Sequence, residues 1–109
     1  MFRVVSILPL AALAGCQFIP GTEASKLAAG EVQVREALTD PESATFRNTS
    51  YHGATKAVCG EVNAKNRMGG FVGFTRFYAL PGFVRFEGGD LGDEQVPVDF
   101  GKLYDDFCV

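Results

Sequence analysis

The chain has 109 residues, 10 basic and 13 acidic side chains, one histidine and a formal charge of −3. Hydrophobic residues are 47% and charged residues 21%, which excludes a disordered chain and fits one small globular domain. There is no basic excess, so a sequence-independent hold on nucleic acid is not expected.

Arg3 is the only charge before Glu23, and an apolar run from Val4 to Leu13 follows it. The run is too short for a membrane-spanning helix, which needs about 20 apolar residues, and Pro9 interrupts it. A positive start, a short apolar centre and small residues before a cysteine form a secretory signal. Leu13-Ala14-Gly15-Cys16 resembles the bacterial lipobox, which implies cleavage before Cys16 and acylation of its thiol. Acyl chains contribute about 0.8 kcal/mol per buried methylene, so two or three of them anchor stably. The residue after the cysteine is Gln17, not the Asp that favours inner-membrane retention. The expected location is therefore a bacterial membrane, facing the periplasm, with the outer membrane favoured. The expected organisation is a signal over residues 1–15, a lipidated tether over 16–25 and one domain over 26–109.

Ser25 to Leu38 reads as a helix, with Ser25 as cap and Leu27, Gly30, Val34, Ala37 and Leu38 on one face. Glu31 and Arg35 are spaced to pair on its surface. Pro41 ends the helix region, and Asp40 is placed to cap a single new turn. Four strands are expected next: Ala44 to Tyr51, Thr55 to Lys65, Phe71 to Tyr78 and Phe83 to Glu87. Turn-like residues join them, so the sheet is an antiparallel meander. In the second strand Val58, Gly60, Val62 and Ala64 share one face, and Ala57, Cys59, Glu61, Asn63 and Lys65 the other. Glu87 to Glu94 reads as a solvated Gly-rich acidic loop without the ligand spacing of a calcium site. Asp99 to Phe107 places Phe100, Leu103, Tyr104 and Phe107 on one face of a short closing helix. The expected fold is α+β: an N-terminal helix on a four-stranded antiparallel sheet, with a short C-terminal helix or turn.

With Cys16 acylated, Cys59 and Cys108 remain. Export makes an even pair a disulfide, and no C-x-x-C accompanies the lone His52 to suggest a redox or metal site. No metal and no cofactor are expected.

Two segments carry a resemblance. One is Asp40-Pro41-Glu42-Ser43-Ala44-Thr45-Phe46-Arg47-Asn48. The other is Cys59-Gly60-Glu61-Val62-Asn63-Ala64-Lys65-Asn66, followed by Gly69-Gly70-Phe71-Val72-Gly73-Phe74. Together they resemble a family of small bacterial and phage-encoded domains that follow a signal peptide, lipobox or membrane anchor. The resemblance spans roughly Val34 to Cys108. It implies the compartment, the helix-and-sheet fold and a late cysteine after an aromatic, here Phe107 before Cys108. It implies no mechanism.

The polar residues singled out are Arg47, Asn48, Glu61, Asn63, Lys65, Asn66 and Arg76. A covered Glu61 needs a partner, and Arg47 or Arg76 can supply one. The group is then either a register-fixing ion pair or a polar binding patch. Glu61 with Asp105 or Asp106 offers the carboxylate pair of a small envelope hydrolase, although nothing in the sequence sets their separation. The aromatics from Phe71 to Phe86 suit either a sheet covered on both faces or an exposed docking patch. The leading expectation is a non-enzymatic interaction module with an envelope protein partner. The alternatives are the hydrolase and a phage-derived lipoprotein that modifies the host surface.

Overall fold

The computed structural model describes residues 21–92 and 99–109. The segment expected to be a signal, Cys16 and most of the expected tether lie outside the described residues, as do residues 93–98. Helix α1 spans Glu23–Ala37, and a single 3-10 turn follows at Pro41–Ser43. Strands β1 Thr45–His52, β2 Ala57–Asn63, β3 Thr75–Leu80 and β4 Phe83–Phe86 come next, and helix α2 spans Phe100–Cys108. The strands form one antiparallel sheet in chain order, β1-β2-β3-β4. Among the described residues no helix is long and apolar enough to cross a membrane.

The alternation in β2 is why the sheet carries two cores. Val58 and Val62 point toward α1, where Val34, Leu38, Phe77, Ala79, Val84 and Phe86 join them. Ala57 and Cys59 point the other way, under α2, with Tyr78, Phe100 and Cys108. The expected α2 face is the buried one: Phe100 and Phe107 lie 5.2 and 5.3 Å from the Tyr78 ring. A disulfide joins Cys59 to Cys108 across 49 positions, with Cα atoms 6.0 Å apart. The sheet is therefore covered on both faces, and α2 is tied covalently to its central strand.

Helix α1 starts earlier than the sequence suggests. Thr22, not Ser25, is the cap: its Oγ1 accepts a hydrogen bond from the Ser25 N–H at 3.1 Å. The inner face is correctly placed, with Gly30 and Val34 buried. A Cβ on Gly30 would sit 2.6 Å from Val58 Cβ, so this position sets how closely the helix lies on the sheet. Arg35 does not turn to Glu31. It donates to the Pro41 carbonyl at 3.0 Å and lies 5.0 Å over the Phe46 ring, fastening the turn to the helix. Asp40 precedes the 3-10 turn as expected, yet its side chain makes no capping bond. Its carbonyl serves instead, accepting from Ser43 Oγ at 2.8 Å.

The third strand is the largest departure. It begins at Thr75, not Phe71. Gly69 and Gly73 adopt φ of 85° and 96°, a left-handed conformation that breaks an extended run. Phe71 to Phe74 thus belong to a loop, touched by the ladder only at the isolated Lys65–Phe71 bridge. Asn66 organises the base of this loop. Its Oδ1 accepts from the Met68 and Gly70 N–H groups at 2.9 and 3.2 Å.

Candidate functional site

Strand β1 contains a bulge. Arg47 pairs with Glu61 and Ser50 with Cys59, so Asn48 and Thr49 together oppose Gly60. Gly60 makes room: a Cβ there would lie 2.9 Å from Thr49 Cα. Asn48 adopts φ 54°, a conformation asparagine tolerates better than most residues. The extra residue keeps Arg47 and Ser50 on the same sheet face, and it turns the Asn48 amide toward Glu61.

The result is a row of charges across the sheet. Arg47 donates from Nε and Nη2 to the Glu61 carboxylate at 3.0 and 3.4 Å, and Asn48 Nδ2 donates to Oε1 at 2.8 Å. Arg76 sits opposite Glu61 in the β2–β3 register, but its fork engages Glu87 at 3.1 and 2.7 Å. Aromatic rings cover the cations. Arg47 lies 3.8 Å over Phe74, and Arg76 lies 4.8 Å over Tyr104 of α2. Charges thus alternate from strand to strand, which favours one register and penalises a slipped one.

The Arg47 guanidinium, helped by the Asn48 amide, holds the Glu61 carboxyl below the usual glutamate range. The Arg76 fork does the same for Glu87. Both groups are ionised at neutral pH. A depressed folded pKa means that these pairs contribute fully above about pH 4.3, the unfolded glutamate value. Their contribution is lost as pH falls below that value and through the lower folded pKa. The melting temperature is accordingly expected to drop between about pH 5 and 3. The Glu61→Gln, Glu87→Gln double variant should lose less over that window. Identical pH slopes by calorimetry would remove these pairs from the acid response.

Of the residues singled out by sequence, Arg47, Asn48, Glu61 and Arg76 come together in this row. Asn63, Lys65 and Asn66 do not join it. Asn63 Oδ1 is buried without a hydrogen-bond partner, and the Lys65 ammonium lies 5.9 Å over Phe71. His52 ends β1 with Nε2 2.9 Å from Ser50 Oγ. No group of three or more histidine, cysteine or carboxylate side chains able to hold a metal occurs among the described residues. Asn48 was among the residues the sequence singled out, but its bond to Glu61 needed knowledge of the bulge. Two other contributors were not foreseen. Glu87 was hidden in a loop read as solvated. Phe74 was placed in a strand.

Two other features stand apart from the row. In the loop before β3, Met68, Phe71 and Val72 are 88%, 55% and 50% exposed. On the opposite face of the sheet, a cleft of about 350 Å³ opens between α1 and the β1–β2 and β3–β4 turns. Fold and site define a small two-cover α+β domain with a central disulfide. No family model, curated protein or solved structure matches the chain.

Proposed function

We propose that the chain is an exported bacterial lipoprotein, acylated at Cys16, held at a membrane with its domain facing the periplasm, and that it acts as a non-enzymatic interaction module for an envelope protein. The lipobox-like Leu13-Ala14-Gly15-Cys16, after a short apolar run with one leading charge, supports the anchor. The absence of Asp after Cys16 favours the outer membrane. The observation that carries the interaction reading is the exposed loop apex. Met68, Phe71 and Val72 lie outside both cores, while the loop base is pinned. Asn66 closes it from within, and Arg67 bonds Asp90 at 3.2 Å and the Gly92 carbonyl at 3.1 Å. Apolar side chains on a fixed base give contact area at little ordering cost, which is what a docking hot spot requires.

The Arg47 guanidinium and the Asn48 amide hold the Glu61 carboxyl down, which does not suit it to the general-acid role of a hydrolase, since that role needs a raised pKa.

Crosslinking in living cells tests the proposal. One reproducible protein neighbour is expected with the wild-type chain, and it should disappear with Phe71→Ser and Val72→Ser together while the melting temperature stays the same. Cys16→Ser should move the protein out of the membrane fraction. Retention of Cys16→Ser at the membrane would overturn the anchor. A neighbour that survives the loop substitutions, or no neighbour at all, would overturn the docking role.

A further inference from the structure

The cleft beside α1 combines an apolar trough with two cations. Ala29, Gly30, Val58, Ala79 and Pro81 form its floor and walls, and Tyr51 lines one side. Gly30 lies against Val58 at its floor, where a Cβ would clash with the valine. Lys26 and Lys56 line the same opening. Among the described residues neither ammonium meets a carboxylate within salt-bridge distance; Lys26 rests 5.3 Å over the Tyr51 ring. The opening thus carries two lysines that pair with no carboxylate among the described residues, beside an apolar floor.

Lys56 supplies an independent observation. It closes the β1–β2 turn, donating its N–H to the His52 carbonyl at 2.8 Å, and its φ is 63°. That left-handed position favours glycine or asparagine. Turn chemistry alone therefore disfavours lysine here, and a strained residue lining a cleft points to a role for its side chain. At 350 Å³ the cleft is at the lower end of small-molecule sites, which run from about 300 to 1,000 Å³.

We infer that this cleft binds a small amphiphilic carboxylate, with its hydrocarbon chain in the Ala29–Val58–Ala79 trough and its carboxylate between Lys26 and Lys56. The lysines supply charge-assisted hydrogen bonds to the head, and the floor supplies apolar burial for the tail. This inference is independent of the loop apex and of the docking role proposed for it.

The test is photoaffinity labelling of the full chain, as purified from membranes, with a diazirine-bearing octanoate. Labelled peptides are mapped by mass spectrometry. Label is expected on the α1 segment around Gly30 and on the strands around Val58 and Ala79, and excess octanoate should displace it. The matched diazirine alcohol should label these peptides about tenfold less, and Lys56→Gly should reduce carboxylate labelling by a similar factor. Lys56→Gly removes the backbone strain, so it should melt no lower than the wild type, which separates lost binding from lost folding. Lys102→Gln, on the far side of the sheet, should leave the labelling intact. Equal labelling by acid and alcohol, full labelling of Lys56→Gly, or label confined to Met68–Val72 would overturn the inference. So would displacement by anionic phospholipid vesicles but not by free octanoate, because the ligand would then be a lipid surface.

Discussion

Replacing Cys59 and Cys108 together by alanine is expected to lower the unfolding free energy by about 4 kcal/mol, the chain-entropy value for a loop of this size. For a domain of under 100 residues that is a fall in melting temperature of roughly 15–30 °C. The physical reason is local as well as entropic. The bridge joins α2 to the most buried strand, and the core beneath α2 is small: Ala57, Cys59, Tyr78, Phe100 and Cys108. Helix α2 has only nine residues, too few to persist by propensity alone. Without the bridge its amides should exchange before those of the sheet. Urea unfolding of the double variant measures the loss, and a change below about 1 kcal/mol would show that packing of α2 suffices without the covalent link.

Phe77→Ala should cost about 3–5 kcal/mol, the usual range for emptying a fully buried phenylalanine site. Phe77 is completely enclosed on the α1 face, edge-on to Phe46 at 5.7 Å and paired in register with Gly60 and Phe86. The strands around it are fixed by hydrogen bonds to both sides, so the cavity has little room to collapse. A loss under about 2 kcal/mol in the same urea assay would mean that α1 can settle onto the sheet to fill it.

The disulfide and the α2 face were legible because each depends on a simple rule: two cysteines remain once Cys16 is set aside, and apolar residues recur at helical spacing. The two faces of β2 were legible because its alternation is clean over seven residues. The start of β3 was not. Phe71-Val72-Gly73-Phe74 has strand composition, and only the sign of φ at Gly73 separates it from a strand. The partner of Glu61 was narrowed to two arginines and no further, since the choice turns on the register and on where the fork of Arg76 goes. A bulge at Asn48 sets that register in β1, and a carboxylate beyond the end of β4 takes Arg76. The cleft was hidden because a lysine in a turn is ordinarily solvated, and nothing in the sequence reveals the backbone angle at Lys56 or the closeness of Gly30 to Val58.

A meander whose strands lie in chain order has two open sides, β1 and β4. The free border of an edge strand is in general a template on which another copy could add a strand, although in β4 the Phe83 and Val84 carbonyls already accept from Gln33 Nε2 and Arg85 Nη1. The bulge at Asn48–Thr49 interrupts that template in β1 by rotating the backbone at its midpoint. On the other side β4 is only four residues long. Neither border offers an unbroken row of hydrogen-bonding groups. The same distortion that aims Asn48 at Glu61 thereby guards the molecule against edge-to-edge association, which matters most where many copies are crowded side by side.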